Sequence, residues 1–456
     1  MKKCVIMGLD CAAPGLVFDK LKDRIPNITA MAEEGVRGTL RSSDPPITIP
    51  AWMSMVTGKD PGQLGLYGFR HRKENSYQDM WIASSNRVKE KTLWDRVGRA
   101  GGRSCVVGVP PTYPPRRIEG WLVSCFITPD TDRRYTHPPE LRREIEDLVG
   151  EYVTDVPFRV EDRASLLDAI YDMTEKRFKV VEYLIQEKEW DLFAFVEIGL
   201  DRMHHAFWKY FDPVHHLYRP GNEFENAIPD YYAYLDKWVG RLRESIPKSA
   251  TVLIVSDHGA QPMKGAFCVN QWLAGRGHLA MKKPEEVVRF SEAEIDWSKT
   301  TAWGWGGYYA RIFLNLEGRE EQGTVPENRY DETRDRMAEE IRGVRGPNGE
   351  EWNTQVIYPE RHFDPCLGDP PDMMVYFDDL SWRSAGTVGH PANYLPENDT
   401  GPDDAVHAKN GIYILSGADE EPRWQPANIL DVAPTALRSM GLPVPKSMKG
   451  EPICRN

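Results

Sequence analysis

A chain of 456 residues with 41% apolar residues and 14 tryptophans has material for a large core, and reads as a soluble globular protein of one large domain with an insertion, or of two domains. Its formal charge of −12, from 57 basic and 69 acidic residues, argues against nucleic-acid polymers and anionic membranes as partners, since both are held by excess Lys and Arg; a small anionic substrate stays open where cations reverse the sign locally. The seven cysteines are odd in number, scattered and free of any C-x-x-C pair, a pattern that does not suggest a disulfide framework or a structural zinc site and best fits a reducing cytoplasm.

The opening MKKCVIMGLDCAAPG shares two lysines with a signal peptide, but its apolar run breaks at Gly8 and Asp10, so it is read as the first buried strand. No apolar run of about 18 residues occurs elsewhere. Further short runs with buried-strand character are SCVVGV (104–109), LFAFVEI (192–198) and TVLIVS (251–256). Helical spacing lies between them, in PNITAMAEEG with Ile28, Met31 and Ala32 on one face, in 163–188 and in 224–244. This alternation predicts an α/β fold with a doubly wound, mostly parallel sheet. Residues 1–265 and 406–456 form its catalytic core. Between them, 266–405 changes character, with Trp, Gly and Pro clusters, strand-like ARIFLNL and DMMVYF and a charged helix near 328–343, and is read as a smaller α+β cap that contributes to a substrate pocket. GIYILSG (411–417) and ILDVAPTALRSMG (429–441) then return to the main sheet.

Ligands of open α/β sheets sit beyond the carboxyl ends of the strands. Asp10, Asp201 and the Asp257-His258 pair each follow a buried strand there, where an uncompensated charge is costly and a cation relieves it. Asp201 and His205 are spaced i to i+4, so on a helix they share one face and can bind one metal; the adjacent His204 points elsewhere. His407 is expected in a loop before GIYILSG, and reaches the same edge if that strand runs antiparallel. Three carboxylates and three imidazoles suit two divalent cations, with zinc first and manganese second, better than magnesium or calcium. The nucleophile is Thr48 in DPPITIPAWMSMVTG, at a helix N-terminus where the dipole and free N–H groups favour an anion. A divalent cation on its hydroxyl makes it competent to attack phosphorus, giving a covalent phosphothreonine that water hydrolyses.

Taken together, these pieces resemble the alkaline phosphatase superfamily, in its branch of type I phosphodiesterases and nucleotide pyrophosphatases. The matching segments are GLD (8–10), PNITAMAEEGVRG (26–38), PPITIPAWMSMVTGKDPGQLG (45–65), DRMHH (201–205), SDHG (256–259), HAKNGIYILSG (407–417) and DVAPTALRSMGLPVP (431–445). The resemblance implies an alkaline-phosphatase-like fold in which Asp201, His205 and His407 hold one metal while Asp10, Thr48, Asp257 and His258 hold the other. Sulfatases of the superfamily carry C-x-P-x-R or S-x-P-x-R, and Thr48-Ile49-Pro50-Ala51-Trp52 stands in that place, which disfavours sulfatase chemistry. Nucleotide pyrophosphatases also place a phosphate-holding asparagine shortly after the threonine element and a histidine within it. Here Phe69 and Leu64 take those positions, which turns the expectation from nucleotide diesters to a less characterised branch.

The expected activity is thus metal-dependent hydrolysis of a small phosphomonoester or phosphodiester, nucleotides included. Arg70, Lys59, Trp303, Trp305 and Tyr308 are the expected substrate contacts. Two rivals share the site: a non-catalytic binder of a phosphorylated ligand, and a phosphotransferase to an alcohol acceptor. Oligomeric state is not written in the sequence.

Overall fold

The first apolar run forms β1 (Cys4–Leu9), buried along its whole length. Side chains of a strand alternate between faces, and Val5, Met7 and Leu9 join one apolar cluster while Cys4 and Ile6 join another. A strand with two apolar faces belongs in the middle of a sheet covered on both sides. A computed structural model, describing residues 1–417 and 420–454, places it there.

After β1 come α1 (Pro26–Glu34), β2 (Val36–Arg41), α2 (Thr48–Thr57), β3 (Arg70–Arg72), β4 (Met80–Ile82), β5 (Ser104–Val107), β6 (Gly120–Val123) and β7 (Thr136–His137). The chain continues through α3 (Arg163–Glu187), β8 (Leu192–Glu197), α4 (Gly199–Phe211), α5 (Ala227–Ser245), β9 (Thr251–Val255) and β10 (Gly259–Pro262). The next stretch carries β11 (Ala302–Trp305), β12 (Ala310–Leu314), α6 (Tyr330–Arg342), β13 (Gln355–Ile357) and β14 (Met373–Tyr376). Last come β15 (Ala405–Ala408), β16 (Asn410–Ser416), β17 (Arg423–Trp424), β18 (Ala427–Asn428) and α7 (Val432–Ser439).

The main sheet has 10 strands in the order β17-β2-β16-β9-β1-β8-β5-β6-β7, with β18 also beside β2. Its centre, β9-β1-β8-β5-β6, is parallel, and β16 joins antiparallel to both β9 and β2. Residues of α1, α3, α4 and α5 (Ile28, Ile170, Met203, Leu235) cover one face, and those of α2 and α7 (Trp52, Ala436) the other. This is the doubly wound, mostly parallel arrangement expected. The strand β2, hidden in the motif that resembled a helix and its stop, is an addition to the sequence reading: VRGTLR alternates buried and half-buried residues, the pattern of an outer strand.

Two contacts explain local choices that position the site. The helix α1 has no side-chain cap of its own; the buried Asp236 of α5 supplies one, accepting from the N–H groups of Asn27 at 3.2 Å and Ile28 at 2.7 Å. On β1, a Cβ at Gly8 would lie 2.4 Å from the Trp52 indole, so the glycine lets α2 lie close on the strand.

Strands β11 to β14 form their own antiparallel sheet, β11-β12-β14-β13, over a separate apolar cluster that includes Trp303, Ile312, Met337 and Val375. Tyr77, between β3 and β4, joins this cluster and stacks on Trp297 at 3.9 Å. The hairpin therefore reaches that sheet from within the first 265 residues. Among the described residues no helix is long and apolar enough to cross a membrane, and all seven cysteines are free.

Candidate active site

Seven side chains meet at one edge of the main sheet. Asp10 leaves β1, Asp257 and His258 leave β9, and Asp201 and His205 stand one turn apart on α4. Thr48 is the first residue of α2. His407 was expected in a loop, but it lies in β15, which pairs antiparallel with β10 and sets His407 opposite Ala260. The correction matters physically: a ladder, rather than a flexible loop, fixes its direction. All seven are buried.

Each imidazole sets its Nδ1 against an oxygen acceptor outside the group and turns its Nε2 toward the other residues of the site. His205 Nδ1 lies 2.7 Å from Asp403 Oδ1, His407 Nδ1 2.8 Å from the Pro46 carbonyl and His258 Nδ1 3.2 Å from the Gly259 carbonyl. With an oxygen acceptor at every Nδ1 a proton belongs there; burial keeps His258 and His407 neutral with the Nε2 lone pair inward, while His205, pushed above the usual imidazole range against burial by Tyr308, Asp403 and Asp201, would free its Nε2 when a cation takes the place of the second proton. The carboxylates are divided the same way. Asp10 Oδ2 accepts from the Trp52 indole at 2.7 Å, Asp201 Oδ2 from Arg202 at 2.7 Å and Asp257 Oδ1 from the Cys11 amide at 3.3 Å. Their other oxygens, Asp10 Oδ1, Asp201 Oδ1 and Asp257 Oδ2, are buried without a hydrogen-bond partner.

The inward atoms are close together. Asp201 Oδ1 lies 3.2 Å from His205 Nε2 and 3.8 Å from His407 Nε2, and the two imidazole nitrogens are 3.3 Å apart. His258 Nε2 is 3.2 Å from Asp257 Oδ2, 3.8 Å from Asp10 Oδ1 and 3.4 Å from Thr48 Oγ1. His258 also stacks on His407 at 3.7 Å, so the two groups adjoin. Asp10, Asp257 and His258, and equally Asp201, His258 and His407, offer ligand atoms within 4.8 Å of one another, a spacing at which one ion can touch three donors.

Electrostatics point the same way. Burial, then the Asp201 charge, pushes Asp10 well above the usual carboxylate range; burial, then Asp10, does the same to Asp257. Burial opposes ionisation of Asp201 too, but His205 and then Arg202 hold it well below that range. Burial moves His258 down to about 4, keeping it neutral. Buried carboxylates crowded without a counter-charge are stable together when cations are added.

Above Thr48 opens a cavity of about 690 Å³, which Arg70, Trp305 and Tyr308 line. Tyr308 stacks on His407 at 4.1 Å, and its hydroxyl is 3.2 Å from His205 Nε2. Phe69 lines the same wall, edge-on to Phe126, so an aromatic surface stands where an amide was absent from the sequence. Two expected contacts are not brought to the cavity. Lys59 follows the far end of α2, a helix of 10 residues or about 15 Å, and its ammonium binds the Ser447 carbonyl. Trp303 is 0% exposed, enclosed by Tyr77, Trp297 and Phe313 in the apolar cluster of β11 to β14.

Several neighbours were absent from the sequence reading. Trp52 stands one helical turn after Thr48 and orients Asp10. Arg202 pairs with Asp155 at 2.8 Å as well as with Asp201. Asp403, itself 0% exposed, gathers His205 on one oxygen and Arg159 and Arg383 on the other, at 2.9 and 2.6 Å. Its only sequence signal was a pair of acids shortly before His407.

A family model described as type I phosphodiesterase / nucleotide pyrophosphatase matches residues 4–403, a span ending just before His407. The chain is similar in structure to human ectonucleotide pyrophosphatase / phosphodiesterase 5, with a TM-score of 0.60 and 14% identity over 99% of this chain and 97% of that one. The murine counterpart, in an inactive threonine-to-alanine variant with AMP, gives 0.57 and 13% over 98% and 96%. Phosphonoacetate hydrolase from Sinorhizobium meliloti, in complex with phosphonoformate, gives 0.63 and 15% over 96% of both chains. At these identities the solved structures establish the fold. Among curated protein sequences no significant match is found.

Proposed function

Because the chain belongs to the type I phosphodiesterase / nucleotide pyrophosphatase family, whose members are metal-dependent, we propose that it hydrolyses a small phosphoric ester with Thr48 as nucleophile. The observation that carries this is the set of three buried, partnerless carboxylate oxygens facing three imidazole Nε2 atoms and the Thr48 hydroxyl. The donor chemistry fits two divalent cations, zinc before manganese, because three of the seven donors are imidazoles. Asp201, His205 and His407 would hold one, and Asp10, Thr48, Asp257 and His258 the other. When bound, such ions neutralise phosphoryl charge and acidify a hydroxyl.

The remaining work falls to the chain. Thr48 Oγ1 attacks phosphorus as the bond from phosphorus to the leaving oxygen breaks, and water then releases phosphate or its monoester from the phosphothreonine. The N–H groups at the start of α2 have no intrahelical acceptor and face the charge that develops there. Trp52 keeps Asp10 turned, and Asp403 keeps His205 turned. Arg70, Trp305 and Tyr308 contact the substrate. The free, scattered cysteines support a reducing, cytoplasmic setting.

Rapid acid quench of the enzyme turning over p-nitrophenyl phosphate or its bis ester, followed by peptide mass spectrometry, is expected to show a phosphoryl adduct on Thr48. An adduct on another residue, or none under conditions of rapid turnover, would overturn the assignment. A separate expectation concerns Asp403→Asn: with its carboxylate charge removed, zinc affinity falls by about 10- to 100-fold, read by competition with a chromogenic chelator. Unchanged affinity would reduce Asp403 to a partner of Arg159 and Arg383.

A further inference from the structure

Six arginines line the cavity above Thr48, against Asp201 and Asp399, in a chain that is acidic overall. Three of them are neutralised. Arg202 faces Asp155 and Asp201, and Arg159 and Arg383 share Asp403. The other three, Arg70, Arg289 and Arg311, have no acidic partner among the described residues. Asp399 does not serve them, since one of its oxygens accepts from the Gly386 and Thr387 amides and the Thr387 hydroxyl.

An exposed arginine without a partner is ordinarily just solvated, and Arg289 fits that description. Arg311 differs, and Arg70, though exposed as well, is tied to it. Arg311 is half-buried on β12, directly across from Trp305 on β11, and spends its donors on the backbone carbonyls of Arg70 and, at 3.5 Å, Gly306. The Arg311 guanidinium is thus held against the Arg70 backbone, with no acidic partner for either side chain among the described residues, and burial and then the Arg70 charge depress the ionisation of Arg311. Around them the wall is apolar: Phe69, Met80, Trp305 and Ile82, the last 62% exposed toward the opening. A low-dielectric wall strengthens a guanidinium's attraction for an anion, and the N–H groups that Arg70 and Arg311 do not give to backbone carbonyls are donors for the oxygens of a carboxylate or phosphate. Neighbouring cations of this kind are a cost to the fold unless an anion comes to them.

We infer that Arg70 and Arg311 form a second anion subsite, so that the substrate is a phosphoric ester whose organic part carries a further carboxylate or phosphate. The inference rests on the hydrolase reading for the position of the first phosphate at Thr48. The apolar wall of Phe69, Met80 and Ile82 then receives the carbon chain that joins the two anions.

Binding without turnover separates this subsite from the catalytic claim. The full chain carrying Thr48→Ala, loaded with zinc, is titrated calorimetrically with p-nitrophenyl phosphodiesters whose second arm is a neutral alkyl, a carboxyalkyl or a phosphoalkyl chain of equal length. One or both anionic arms are expected to bind about tenfold or more tightly than the neutral arm, and the tighter one names the anion. Arg70→Gln and Arg311→Gln, each added to that protein, are expected to close most of the gap between arms. A merely structural effect would weaken all arms alike. Arg70 is exposed, so its substitution keeps the test available where Arg311→Gln disturbs β12. Equal binding of all arms, or a gap that survives both substitutions together, overturns the subsite. A wild-type chain that cleaves none of the three esters overturns the hydrolase reading instead and leaves the binding result standing.

Discussion

Thr48→Ala is expected to lower kcat/KM by on the order of 10⁴-fold or more, because removal of a covalent nucleophile leaves only binding and electrostatics to act on the substrate. The fold should hardly notice. Among the described residues the only hydrogen-bond contact of Oγ1 is His258 Nε2 at 3.4 Å, so the change in unfolding free energy is about 1 kcal/mol or less. Ile47, not Thr48, is the cap of α2, and the helix keeps its start. Metal content should stay near that of the wild type, since Asp10, Asp257 and His258 remain. Thr48→Ser keeps the hydroxyl and should retain measurable turnover, which a purely steric role for the threonine methyl would not give. Near-wild-type hydrolysis of p-nitrophenyl phosphate and its bis ester by Thr48→Ala, with folding confirmed by thermal melting, would sink the nucleophile assignment.

The parts of the site legible in the sequence share one cause. A strand buried on both faces is a continuous apolar run, and the first charged residue after it is forced toward the sheet edge; that rule picks out Asp10 and Asp257. Asp201 and His205 are legible because a helix fixes their spacing. What escaped is tertiary. Asp403 reaches His205 across 198 residues, and no local pattern marks it. Lys59 and Trp303 fail for opposite reasons. Nearness to Thr48 in sequence suggested a phosphate contact for Lys59, yet a helix moves the chain away at 1.5 Å per residue. Trp303 and Trp305 share a face of β11, but the strand runs from its apolar cluster to the cavity, so one is enclosed and the other lines the opening. The join between Arg70 and Arg311 depends on β3 meeting β12, which composition cannot foretell.

Removing the cations is expected to stop turnover and lower the unfolding temperature together. Asp10 Oδ1, Asp201 Oδ1 and Asp257 Oδ2 are buried and without hydrogen-bond partners among the described residues, and the adjacent guanidinium of Arg202 is bound to the other oxygen of Asp201. Isolated buried charge of this kind costs several kcal/mol. By linkage, each ion held at a thousandfold excess over its Kd stabilises the folded chain by about 4 kcal/mol. For a chain of this size that corresponds, over both ions, to a fall on the order of 5–10 °C in EDTA. Zinc should restore both temperature and rate, manganese should do so in part, and magnesium should do least, because it disfavours imidazole donors. Single ligand losses sharpen the claim: His407→Ala and Asp257→Asn remove donors from different groups, so each should leave about one ion per chain by elemental analysis, whereas a single shared ion would be lost altogether in both. A rate and a melting temperature that both stay unchanged in EDTA would take the metals out of the mechanism, and would require protons to satisfy the three carboxylate oxygens instead.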